Sequence, residues 1–149
     1  MKYFAYGSNL NADDLSAWCT KNHKPTLKLS NPVPFRLDNY KLGFTRKSLS
    51  RQGGVADIIH SPGDYCWGVV FDVEKDDLIV LDCKEGVKYC TYKRLELADG
   101  MITYDVVKKI YFVQPHPTYV NLIIEGAKHY GLPEDWIKIL ESYKTNSKS

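Results

Sequence analysis

The nine residues Tyr65 to Val73, YCWGVVFDV, constrain the fold more than any other stretch of the chain. They are so apolar that they fit only a strand inside a covered sheet. Ser61-Pro62-Gly63-Asp64 before them has the chemistry of a turn. After them, Leu78, Leu81 and Asp82 fall at helical spacing, which puts a helix over Glu74 to Lys84 with Gly86 as its terminating glycine. Further strands are expected at Lys2 to Tyr6, Val55 to Ile59 and Tyr89 to Leu97. Phe35 to Phe44 reads as one or two strands joined near Asp38-Asn39, and Met101 to Phe112 as one or two more. Asn31 to Pro34 reads as loop, Lys47 to Gly54 as a loop or broad turn, and Ala98-Asp99-Gly100 as a hairpin turn.

Three more helices complete the expectation. A short one follows Tyr6, with Asn11 as its N-cap and Asp13 and Asp14 in its first turn, where acids suit the dipole. Two others cover about Thr118 to Tyr130 and Pro133 to Tyr143, separated by Gly131 and the helix-restarting Pro133. Strands and helices do not alternate regularly, so the class is α+β and not a doubly wound sheet. With 149 residues and no repeat or linker, one domain over 1–143 is expected, with 144–149 as a polar, frayed tail.

Composition excludes several functions. A net charge of +2, with Lys and Arg scattered, gives no support to a nucleic-acid or acidic-membrane partner. No secretory leader precedes the first strand, and no apolar run is long enough to span a membrane. The chain therefore reads as cytoplasmic. Its four cysteines, Cys19, Cys66, Cys83 and Cys90, lack paired short spacing and read as reduced packing residues. The four histidines are equally scattered, so no metal site is expected.

Three places remain for chemistry. Tyr6-Gly7-Ser8-Asn9 breaks the first strand just ahead of a helix. It matches neither a phosphate loop nor a nucleophile elbow. Its glycine permits close backbone approach, and its N–H groups suit a carboxylate or a developing oxyanion. Taken alone, it is equally a tight turn in which Asn9 satisfies its own backbone. Glu85 sits at the negative end of the Glu74 to Lys84 helix, where the dipole disfavours a carboxylate and raises its pKa toward that of a useful base. The alternative is a solvated surface acid, and Lys84 and Lys88 would offset the dipole. Tyr89, Tyr92, Tyr119 and the Trp67-Gly68 pair offer polar or close-packed contacts, with ordinary packing as the alternative.

Together, FAYGSNL, GGVADIIHSPGDYCWGVVFDV, LDCKEGVKYCTYKRLEL and TYVNLIIEGAKHYGLP resemble the gamma-glutamylcyclotransferase family in content and order, from about Tyr3 to about Tyr143. The animal enzyme of glutathione metabolism is nearer than the shorter gamma-glutamylamine cyclotransferases, whose entry motif usually reads YGTL. The resemblance implies a small mixed β-barrel with helices outside. It also implies cofactor-free cleavage of a gamma-glutamyl amino acid into 5-oxoproline and the free amino acid, and a homodimer. It puts Glu85 on the catalytic glutamate, Tyr6, Gly7, Ser8 and Asn9 on the substrate loop, and Tyr92 and Tyr119 on the cavity wall. Asp57 stands where the animal enzyme has a small neutral residue. Facing the cavity, it would favour an amine-bearing leaving group. The alternatives are a gamma-glutamylamine or gamma-glutamyl-aminoglycoside cyclotransferase, and a non-catalytic binder of gamma-glutamyl compounds.

Overall fold

A computed structural model describes residues 1–144. Among them, β1 (Lys2–Ala5), β2 (Ser30–Ser48), β3 (Gly53–Asp72), β4 (Tyr92–Glu96) and β5 (Ile102–Val106) form one mixed sheet in the order β2-β3-β1-β5-β4. The helices are α1 (Ala12–Lys21), α2 (Lys75–Lys84), α3 (Pro117–His129) and α4 (Glu134–Ser142). Of the expected tail, Lys144 is anchored by donating to Asn121 Oδ1 at 2.9 Å, and 145–149 lie outside the described residues.

The YCWGVVFDV run is the second half of β3, held between β2 and β1. Gly68 within it is there for clearance: a Cβ would stand 2.3 Å from the Ala5 carbonyl oxygen and 2.7 Å from the Phe4 ring. β1 is the middle strand, antiparallel to β3 and parallel to β5. Its residues Tyr3, Phe4 and Ala5 are buried, and the core spreads from them to Leu78 and Leu81 of α2 and Val120 and Ile123 of α3.

Several local expectations change. Asn31 to Pro34 belongs to β2 and is not loop. The strand lies at the sheet edge, where a proline removes no donor that the ladder needs. Asn39, with φ of 67°, does mark an irregularity at the expected point, but β2 continues through it. Opposite it, Ser61 to Asp64 make a turn-like excursion within β3: Tyr40 pairs with His60 while Asp38 pairs with Tyr65. Gly63, at φ of +91°, donates its N–H to Asn39 Oδ1 and ties the two irregularities together. β4 begins only at Tyr92, after a helical turn at Val87–Tyr89, and β5 ends at Val106.

The barrel expectation also needs correction, because the sheet does not close and β2 and β4 remain its edges. The first half of β3 meets β4 and β5 through side chains instead of a ladder. Asp57 Oδ1 accepts from Val106 N at 2.9 Å, and the Tyr92 hydroxyl donates to Ala56 O at 2.6 Å. The space that a closed barrel would fill with packed side chains is left as a cavity.

Candidate active site

That cavity, of about 240 Å³, is lined by residues from β1, the bend after it, α1, β2, β3, α2, β4, β5 and α3. The seven residues that the resemblance placed at the site all line it: Tyr6, Gly7, Ser8, Asn9, Glu85, Tyr92 and Tyr119. Tyr89 does not, being 78% exposed.

The bend is a single helical turn, Ser8–Leu10, whose internal bonds run from Leu10 N to Gly7 O and from Asn11 N to Ser8 O. The N–H groups at the start of such a turn take no part in its bonding, which leaves those of Gly7, Ser8 and Asn9 outside it. Two contacts hold the bend in place. The carbonyl of Leu10 lies against Gly126 of α3, where a Cβ would come within 2.4 Å of it. Asn11 caps α1 by accepting from Asp14 N, as expected, and its Nδ2 donates to Leu122 O and Glu125 Oε1 on α3. Gly7 faces β3: a side chain there would put its Cβ 3.1 Å from Ala56 Cβ and 3.8 Å from the Tyr119 hydroxyl.

Glu85 ends α2 as its C-cap, and Gly86 follows in the left-handed conformation at φ of 68°. Its side chain is 16% exposed and its carboxyl is raised above the ordinary glutamate pKa. The leading cause is burial, not the helix end emphasised from the sequence. Lys84, the Asn9 side chain and Arg51 pull in the opposite direction. Lys84 Nζ lies 3.9 Å from Glu85 Oε2 and donates to Asn9 Oδ1 at 2.7 Å, while Asn9 Nδ2 donates to Tyr3 at 2.8 Å. Asn9 thus serves as a strut between the bend and α2. Lys88, expected to act with Lys84, instead lies over the Tyr89 ring.

The two wall tyrosines bond the two peptide groups that flank Ala56. Tyr92 spends its hydroxyl proton on Ala56 O, whereas Tyr119 accepts from Ala56 N at 3.0 Å and keeps its own proton to donate. Burial pushes the Tyr119 phenol up to about 12, so it remains protonated at neutral pH. Tyr6 donates to Tyr104 O at 2.6 Å and fixes β1 to β5.

Asp57 does not face this cavity. It is fully buried, and its carboxylate is consumed by Ile58 N, Val106 N, the Thr45 hydroxyl and Lys109. The amine-favouring role expected of it is therefore withdrawn. Sequence reading missed the cations that do line the cavity, Arg46 and Arg51. They lie in a polar stretch with no local mark to separate them from solvated surface.

Fold and cavity define an α+β protein that holds one carboxyl against a bend of main-chain donors; among the described residues no other acid and no cysteine lines the cavity. The AIG2-like family matches residues 65–140. The chain is 36% identical to gamma-glutamylcyclotransferase of Bos taurus, an alignment covering 97% of this chain and 79% of that protein. It is 32% identical to the Homo sapiens protein of the same name, with the same two coverages. A solved structure of a gamma-glutamyl cyclotransferase superposes with a TM-score of 0.77 at 31% identity, covering 99% of this chain and 90% of that one. The chain belongs to the gamma-glutamylcyclotransferase, or AIG2-like, family. No helix among the described residues is long and apolar enough to cross a membrane.

Proposed function

We propose that this chain is a gamma-glutamylcyclotransferase that converts a gamma-glutamyl amide into 5-oxoproline and the free amine, with Glu85 as the shuttling base. The observation that carries this reading is the single buried, pKa-raised carboxyl in the same cavity as the Gly7–Asn9 bend.

The nucleophile belongs to the substrate. Its α-amine attacks its own γ-carbonyl and closes a five-membered ring, so the site needs no Ser or Cys nucleophile and no activated water. Holding the glutamyl chain curled supplies much of the rate, because intramolecular attack in the right geometry has a large effective molarity. Glu85 takes a proton from the α-ammonium, and the freed amine forms the new C–N bond. The N–H groups of Gly7, Ser8 and Asn9 receive the charge that develops on the carbonyl oxygen. As the old C–N bond breaks, protonated Glu85 passes a proton to the departing nitrogen, and the carboxylate so regenerated relays the second proton from the ring nitrogen to the leaving amine. The balance closes: the α-nitrogen sheds two protons, the leaving nitrogen gains two, and no water is consumed. Tyr6, Tyr92 and Tyr119 wall the pocket, and Tyr119 is the one with a proton to offer the substrate.

The direct test is incubation of the purified chain with gamma-glutamyl-alanine and chromatographic detection of 5-oxoproline. Binding without release would favour the non-catalytic alternative. Cytoplasmic location follows from the sequence expectation and homodimeric assembly from the family resemblance, and size-exclusion chromatography with light scattering checks the latter.

Two variants probe the parts separately. Gly7→Val crowds the bend against Ala56 and Tyr119 and should lower kcat/KM about 10-fold or more, with the melting temperature nearly kept, since removing an oxyanion donor alone has effects of that order or larger. Equal damage to activity and stability would mark the bend as a plain turn. Lys84→Gln removes the strongest influence that lowers the Glu85 pKa. Activity requires the ionised base, so the acidic limb of the pH–rate profile should move to higher pH; an unmoved limb would detach Lys84 from Glu85.

A further inference from the structure

Three cationic side chains line a cavity whose only acid among the described residues is Glu85. Two of them are already engaged. Arg51 makes a bidentate pair with Asp14 at 3.0 and 2.8 Å and lies over the Tyr119 ring. Lys84 donates to Asn9 and neighbours Glu85. Arg46 has no acid partner and donates no hydrogen bond among the described residues. A partly buried guanidinium keeps five donors in a fixed fork that matches a carboxylate, and leaving it unpaired in a confined space is unfavourable.

The cations also sort by position. Lys84 stands beside the Glu85 carboxyl at 3.9 Å and Arg51 is held by Asp14 of α1, whereas Arg46 enters on β2, the edge strand. Arg46 reaches the cavity from β2, where a register shift between Phe44 and Arg46 sets it opposite Val55. In the proposed chemistry, the glutamyl α-amine and its neighbouring carboxylate must lie near Glu85. The departing nitrogen must also come within reach of Glu85, so it is the substituent beyond that nitrogen, with its carboxylate, that extends into the rest of the cavity.

Resting on that proposed chemistry, we infer that Arg46 is the specificity-determining residue of this site, binding the carboxylate of the departing amino acid. A gamma-glutamyl amine lacks that carboxylate and leaves Arg46 unpaired. An amine-bearing leaving group, such as an aminoglycoside, would bring a second positive charge toward a cation. The site therefore selects gamma-glutamyl α-amino acids through one side chain that no local sequence signal distinguishes.

The test compares gamma-glutamyl-alanine with gamma-glutamyl-ethylamide, which differ by the carboxylate alone, in the unaltered chain, Arg46→Gln and Arg46→Lys. The readout is the ratio of kcat/KM for the two compounds. The unaltered chain should prefer the alanine compound by roughly 10- to 100-fold, the range of a charge-assisted hydrogen-bonded pair. Arg46→Gln should collapse that preference. Arg46→Lys, which keeps the charge and loses the fork, should hold it in part and keeps the test available should the glutamine variant fold poorly. A ratio unchanged in Arg46→Gln, or no preference in the unaltered chain, overturns the inference and leaves the cyclotransferase reading standing. No 5-oxoproline from either compound overturns both.

Discussion

Glu85→Gln is expected to lower the rate of 5-oxoproline release by about 1,000-fold, within the range general acid–base catalysis supplies. The amide fills nearly the same volume at the end of α2 but cannot accept a proton from an ammonium. Substrate affinity should persist, because the bend and the tyrosine wall are untouched. Stability separates this loss from misfolding. The folded-state pKa of Glu85 is raised, so the fold favours the protonated acid. The stability linked to this carboxyl is fully present below its unfolded pKa and is lost as pH rises through its folded pKa. Above that folded pKa the ionised Glu85 is a net burden, and there the glutamine variant should melt no lower than the parent. Thermal melts with single-turnover assays check both halves. Turnover within a few-fold of the parent would remove Glu85 from the role of base.

The residues carrying this prediction were legible for uneven reasons. Glu85 drew notice through its place at a helix end beside a terminating glycine, and that local geometry is present. The larger cause of its raised pKa is burial under the bend and the tyrosine wall, which are remote in sequence. The bend alone read as a plain turn at least as well, since turns of that composition are common, and it was the resemblance across four separated stretches that marked it as a substrate loop. Arg46 and Arg51 were not, since only the register shift in β2 and the reach of Asp14 from α1 bring them to the cavity. Pro32 and Pro34 were misread as loop because local chemistry cannot tell an edge strand from a coil. The open sheet was missed for the same reason: the contacts that replace closure join Ala56 and Asp57 to Tyr92 and Val106.

Asp57→Ala is expected to lower the melting temperature by about 10 °C, the largest stability effect predicted for this chain. The carboxylate is fully buried and serves four donors on four parts of the fold: Ile58 N on its own strand, Val106 N on β5, the Thr45 hydroxyl on β2, and Lys109 beyond β5. Removing it orphans the Lys109 charge on this side, though Asp105 still pairs with it at 3.0 Å. Lys109 is 33% exposed and keeps Asp105, so the cost comes mainly from the buried Val106 N–H and Thr45 hydroxyl left without an acceptor, at about 1–3 kcal/mol each and about 3 kcal/mol together. At roughly 2–4 °C per kcal/mol for a domain of this size, 3 kcal/mol corresponds to the stated shift. Activity should fall as well, because Tyr92 and Tyr119 bond the carbonyl and the N–H of Ala56, the preceding residue. Asp57→Asn separates the two consequences. Its carbonyl oxygen can still accept from Val106 N while its amide group loses the ion pair, so it should melt between the parent and the alanine variant and keep more activity. If the alanine variant melts within 2–3 °C of the parent, the first half of β3 is held by packing alone, and these side-chain contacts do not substitute for the missing ladder.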